Sequence, residues 1–175
     1  MPITKYVVLD FEATCDDVHP PPQEIIEFPS VLVDAQTFER LDEFRSYVKP
    51  TINPTLRPFC TELTGIEQAT VDGAPEFMEV FQQHQEWLQS HSLSLNEKEP
   101  TWAFVTCGDW DLATMLPLQL QHLKISSVPV VYTRWVNIKF PFAKEYGRTD
   151  GKYFAINFYF YFHLFNITIK AWLEC

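Results

Sequence analysis

The sequence predicts a mixed α/β domain, and three patterns carry that reading. Residues 5–10 (KYVVLD) are β-branched and apolar between charges, the mark of a buried strand. Residues 75–90 place Phe77, Val80, Phe81, Trp87 and Leu88 near helical spacing, which gives an amphipathic helix. Residues 102–106 (WAFVT) form a second buried strand, and Gly108 leads from it into a helix with Asp109 as the N-cap candidate. The remaining elements fit between these. Residues 15–23 (CDDVHPPPQ) make a polar, proline-rich loop. Residues 24–34 read as a strand with an irregularity at Pro29. The turn at residues 34–37 joins it as a hairpin to a strand at about 38–48. Residues 49–58 hold three prolines and read as extended loop. Residues 58–65 give a short helical turn stopped by Gly65. Pro117 breaks the helix after Gly108 or starts the next one, and residues 128–131 are a short strand candidate. The order is a β-hairpin, then helix, strand, helix.

At 175 residues the chain has room for one compact domain with a hydrophobic core. Hydrophobic residues at 46% and charged residues at 21% exclude a disordered chain. A net charge of −10 argues against duplex binding through a broad basic face. It leaves room for an enzyme whose metal ions supply the positive charge at the site. Cys15, Cys60, Cys107 and Cys175 lie far apart and form no C-x-x-C pair, so neither zinc nor a disulfide scaffold is signalled. Free thiols in a reducing compartment are expected, with cytoplasmic or nuclear localisation. The opening residues run straight into a strand and do not read as a signal peptide.

The chemistry lies in the carboxylates. Asp10-Phe11-Glu12 ends the first strand, and residues two apart in a strand share a face, so Asp10 and Glu12 project together. Two such acids repel each other and lose solvation, and a hard divalent cation such as magnesium removes both penalties. Taken alone, D-x-E also fits a solvated strand end. Asp111 sits in the first turn of the helix after residues 102–106. Where neighbouring strands run parallel, their C-terminal ends gather on one edge, so Asp111 can face Asp10 and Glu12 there. A helix-dipole acid is the plainer role for such a residue, and Asp109 fits it better than Asp111. Trp110 is expected in the core rather than as a platform for a base.

Four segments in order, residues 8–15 (VLDFEATC), 23–28 (QEIIEF), 59–66 (FCTELTGI) and 106–112 (TCGDWDL), together resemble the DEDDh, DnaQ-like 3′→5′ exonucleases. The resemblance is to the branch that trims histone messenger RNA, ribosomal RNA ends and short interfering RNA, and it runs from Tyr6 to Tyr146. It implies a ribonuclease-H-like fold, a mixed sheet flanked by helices, here C-terminally truncated or altered. It implies that Asp10, Glu12 and Asp111 are catalytic and hold two Mg²⁺ or Mn²⁺ ions, in such sites about 3.5–4 Å apart. It implies that Ala13 and Thr14 meet the terminal 3′ nucleotide, and that Leu63, Thr64 and Ile66 wedge against the last bases. The partner is then RNA with a single-stranded 3′ end.

The family also has a histidine, the general base, followed five residues later by the fourth carboxylate, on a late helix. It follows a stretch resembling residues 134–139 (RWVNIK) and a tyrosine resembling Tyr146. Here the chain departs at about Gly147: beyond it stands only His163, with Thr168 five residues on. His19, His84, His91 and His122 read as loop or helix-surface residues. The expected division is an incomplete exonuclease domain at 1–146 and a divergent aromatic-rich tail at 147–175. Residues 153–169 read as an aromatic edge strand or a poor membrane anchor, and a membrane role is not favoured. The sequon at Asn166 is discounted for an intracellular chain. The expected function is a two-metal 3′→5′ exoribonuclease impaired by loss of the base and the last acid. The alternatives are a non-catalytic RNA-binding or regulatory isoform and a membrane-tethered form.

Overall fold

The computed structural model describes residues 2–18 and 22–146. The expectations for His19, for His163 and Thr168, and for the tail at 147–175 lie outside the described residues. The elements run β1 (Lys5–Leu9), β2 (Glu12–Ala13), β3 (Ile25–Asp34), β4 (Arg40–Tyr47), α1 (Pro58–Thr64), α2 (Gln68–Asp72) and α3 (Phe77–Ser90). There follow β5 (Trp102–Thr106), a π-helical turn (Trp110–Met115), α4 (Leu116–His122), a 3₁₀ turn (Val130–Thr133), β6 (Trp135–Asn137) and α5 (Lys139–Tyr146).

One mixed sheet holds all six strands in the order β2-β3-β1-β5-β6, with β4 paired to β3. The β3–β4 hairpin is antiparallel, and its turn closes on Asp34, whose Oδ1 accepts the N–H groups of Gln36 and Thr37 at 2.8 and 2.9 Å. β1 pairs antiparallel with β3 and parallel with β5, and β5 pairs parallel with β6. The parallel trio matters most for function. It brings the chain leaving β1 at Leu9 and the chain leaving β5 at Thr106 to the same sheet edge.

The core is dominated by β3 and α3. Phe28 meets Phe11 edge-on at 4.6 Å between ring centroids and stacks on Phe77 and Phe81. A second, smaller cluster gathers Ile26, Leu56, Cys60, Ile66 and Val71 beneath α1 and α2, with Cys15 packed against it.

Several expectations are corrected. Residues 128–131 are not a strand; the short edge strand is β6, a few residues later, and β5 supplies its register. Pro29 causes no break. It lies opposite the Asp10–Phe11 gap between β1 and β2, where the ladder on that side has no registered pair, and the irregularity against β4 falls at Leu32/Val33. Asp109 makes no side-chain cap; its carboxylate accepts the Trp135 indole N–H at 2.8 Å. Pro117 opens α4. His84 is not a surface residue. It is fully buried on α3, bonded to Ser30 Oγ at 2.9 Å and Tyr132 Oη at 2.8 Å, and burial holds it down to about 3. Among the described residues, no helix is long and apolar enough to cross a membrane.

Candidate active site

Asp10 and Glu12 do not share one continuous strand. β1 ends at Leu9, and Glu12 begins β2. Between them Phe11 turns into the core against Phe28, which fixes the kink. Asp10 is buried at 8% exposure, and Glu12 is half-buried opposite Glu27 of β3. Glu27 is tied to Arg45 on β4 by an ion pair.

Asp111 arrives from the other parallel strand. After β5, Gly108 takes a φ of +120°, a conformation open to glycine, and the chain turns into the π-helical turn that carries Asp111. Oδ1 of Asp111 accepts the Phe11 backbone N–H at 2.8 Å, so the acid reaches into the gap between Asp10 and Glu12. Its other oxygen, Oδ2, is buried without any hydrogen-bond partner. An orphaned carboxylate oxygen in a buried position carries a large desolvation cost.

The electrostatics agree with that crowding. Burial, then the charges of Glu27, Cys60 and Asp111, push Glu12 up to about 8. Burial pushes Asp111 up to about 6, against the Phe11 hydrogen bond and the Lys139 ammonium. Burial pushes the Cys107 thiol up to about 12, with Asp10 and Asp111 adding to it. Asp10, Glu12 and Asp111 are therefore brought into one neighbourhood. They do not form a closed cage: among the described residues, no group of three or more His, Cys, Asp or Glu stands ready to hold an ion. The donor set still fits a hard divalent cation, because its ligands are all carboxylate oxygens and Oδ2 of Asp111 lacks a partner.

The residues expected to meet the substrate divide into two kinds. Ala13 and Thr14 are buried, and Thr14 Oγ1 accepts the Glu24 N–H at 2.9 Å. Leu63 and Thr64 are half-exposed at the end of α1, and Gly65 closes that helix with φ +72° and its N–H on the Thr61 carbonyl. Ile66 is buried in the smaller cluster and braces the segment from within. A cleft of about 320 Å³ opens between Thr14, Cys15 and Asp16 on one side and residues 52–57 on the other.

Three residues went unnoticed in the sequence. Glu24 is buried, and its carboxylate accepts the N–H groups of Thr51, Ile52 and Asn53 at 2.7–2.8 Å, which fastens the proline-rich loop beside the cleft. Lys139 places its charge near Asp111 and Cys107. Cys60 donates its thiol to the Ala13 carbonyl at 3.6 Å. Glu24 and Cys60 lie inside the segments 23–28 and 59–66 that carry the resemblance, and Lys139 ends the stretch at 134–139, so position in a motif was the available signal.

Comparison with known proteins gives the family and the fold. Residues 7–143 fit the family model RNase_T, described as exonuclease. Human "ERI1 exoribonuclease 3" is 48% identical over 135 residues, 77% of this chain and 39% of that protein. Human "3'-5' exoribonuclease 1" is 39% identical over 142 residues, 80% of this chain and 38% of that protein. The chain thus spans about two fifths of the length of these curated relatives. The nuclease domain of 3'hExo, a DEDDh family member bound to rAMP, superposes with a TM-score of 0.76 at 35% identity, covering 84% of this chain and 72% of that one. A 3'-exonuclease solved in specific recognition of the 3′ end of histone mRNA stem-loop superposes with a TM-score of 0.78 at 34% identity, covering 85% and 65%. The mixed sheet with its flanking helices is therefore the ribonuclease-H-like exonuclease fold, in a family that generally uses divalent metals. With four-fifths of its length inside that model, and its acids at the sheet edge where β1 and β5 end, the chain belongs to the RNase_T exonuclease family, among the DEDDh 3′→5′ exonucleases.

Proposed function

We propose that this chain carries the nuclease site of a metal-dependent 3′→5′ exoribonuclease acting on single-stranded RNA ends. The observation that carries the reading is Asp111, held by the Phe11 N–H through one oxygen with the other buried and unpartnered beside Glu12. Asp10, Glu12 and Asp111 would hold two Mg²⁺ or Mn²⁺ ions. Bound there, such ions lower the pKa of water and stabilise charge on the attacking and leaving oxygens. The chain's own part is positioning. Phe11 orients Asp111 through its backbone. Thr14 and Ala13 lie beside the acids, and Leu63 and Thr64 present a half-exposed edge to the last bases. With it goes a cytoplasmic or nuclear location, where thiols are kept reduced.

A second reading concerns rate. After Tyr146, no histidine in these 175 residues is followed five positions on by an aspartate. The chain is then a binding or regulatory form that holds metal and RNA but activates water poorly, since a general base contributes about 10²–10⁴-fold. A 5′-labelled single-stranded RNA incubated with manganese separates the readings. Stepwise shortening from the 3′ end that vanishes in Asp10→Ala supports the first. Metal-dependent binding without shortening supports the second. Absence of both binding and shortening refutes the two together. If a version extended after Tyr146 with a family-like histidine and aspartate trims no faster than this chain, the missing-base reading is wrong.

A further inference from the structure

Cys15 and Cys60 are far apart in sequence and adjacent in space. Cys15 follows β2 directly, while Cys60 sits in the middle of α1. Both the thiol and the backbone N–H of Cys15 hydrogen-bond to the Cys60 sulfur, whose own hydrogen is directed at the Ala13 carbonyl at 3.6 Å. Cys60 is fully buried, whereas Cys15 is half-buried and lines the cleft beside Asp16 and Arg57. One sulfur is thus reachable from solvent, and the second waits directly behind it. The remaining described thiol, Cys107, is buried just past the end of β5 near Asp10 and Asp111.

We propose that Cys15 and Cys60 form a reversible disulfide in response to hydrogen peroxide, and that this bond closes the substrate cleft. The Cys15 sulfur attacks the peroxide, the O–O bond breaks, and Cys15 sulfenic acid and one water result. The Cys60 sulfur then attacks Cys15. The S–S bond forms, the S–O bond breaks, and hydroxide leaves with the Cys60 proton as a second water. Two thiols lose two electrons and two protons to one peroxide, and a dithiol reductant reverses the change. Cys15 packs against the buried cluster that contains Cys60, so the two thiols start as neighbours.

The consequence for the cleft rests on the function proposed above. A disulfide bond is about 2.05 Å long, much shorter than a hydrogen-bonded sulfur pair. Closing it draws the segment of Ala13, Thr14 and Cys15 toward α1, which carries Leu63 and Thr64 at its end. Thr14 and Cys15 line one side of the cleft, and Leu63 and Thr64 present the edge to the last bases, so the two surfaces an RNA end would meet are drawn together, and a shift of about 1 Å in such a site is costly.

The test uses the whole chain, treated with hydrogen peroxide or left in dithiothreitol, then alkylated and digested. A cross-linked peptide pair containing Cys15 and Cys60 is expected, lost on reduction. Sulfinic acid at Cys15 without a cross-link, or cross-links to Cys107 or Cys175 instead, overturns the proposal. Binding of a 3′-tailed RNA is then measured on both forms by anisotropy. Oxidation should weaken it about tenfold, dithiothreitol should restore it, and Cys15→Ser, checked by its melting curve, should not respond to peroxide. A complete Cys15–Cys60 cross-link with unchanged RNA affinity overturns the closure. If the reduced chain binds no RNA, the exoribonuclease reading fails, while the peptide map still decides the disulfide.

Discussion

Asp111 is balanced between structural cost and use. One oxygen is satisfied by Phe11, and the other is buried with nothing to bind. Asp111→Asn keeps the acceptor for Phe11 and removes the buried charge. The metal-free variant should therefore melt at or above the temperature of the parent, while its manganese affinity falls by about tenfold or more, roughly 1.4 kcal/mol. Calorimetry showing unaltered manganese affinity would remove Asp111 from the metal site. His84 gives the pH dependence. It is held down to about 3 in the fold against an ordinary value of 6.5. Below 6.5 the unfolded chain takes up a proton that the folded chain refuses, so stability falls as pH falls, by at most about 1.4 kcal/mol per pH unit. Glu12 acts in the opposite sense, since it keeps its proton up to about 8 when folded against 4.5 otherwise, and stability falls as pH rises across that window. The two overlap, so the His84 contribution is read by difference: between pH 6 and 4, urea titrations should show the parent losing stability more steeply than His84→Asn.

At the scale of elements, α1 and its stop are the testable unit. Gly65 sits at φ +72°, and a Cβ there would meet nothing within 4 Å. Gly65→Ala therefore costs backbone energy alone, about 1–2 kcal/mol, and Gly65→Asn should cost less. Equal urea midpoints for Gly65→Ala and the parent would contradict this. The elements also divide by legibility. β1, β5 and α3 were readable because each buries a regular stripe, whether residues 5–9 and 102–106 in the sheet centre or Phe77, Val80, Phe81 and Leu88 on one helix face. α2 and β6 are too short for a period to show, and β6 exists through its pairing with β5. The π-helical turn escaped because only its width, set by tertiary packing, distinguishes it from an α-helix. The convergence of Asp10, Glu12 and Asp111 on one sheet edge was legible from motif spacing. Their brace was not, because Phe11 holds Asp111 through a backbone N–H, which no side-chain pattern records.

The whole chain carries a net charge of −10, against which the proposed RNA would have to bind. Few phosphate contacts to basic side chains are then expected, and the salt dependence of RNA binding should be shallow, because each such contact contributes a slope of only about −0.7 for single strands. Anisotropy between low and moderate salt should give a slope of magnitude under about 2, with 3′-tailed RNA bound more tightly than blunt duplex. A steep slope, or equal affinity for the blunt duplex, would point to an unrecognised basic interface.

The Phe11–Asp111 bond joins residues 100 apart in the chain. That separation sets an order of assembly during folding. The β3–β4 hairpin and α3 are local and can form early, whereas β1 and β5 must close a long loop before the bond exists. On a ribosome, Asp10 and Glu12 would emerge long before Asp111, so the three acids could not come together until the second half of the domain had been made. The bond should accordingly be absent from the folding transition state. Breaking it by Asp111→Ala should speed unfolding and leave the refolding rate nearly unchanged, a φ-value near zero in stopped-flow chevrons. A refolding limb slowed in proportion to the lost stability would instead make this edge the nucleus from which the sheet grows.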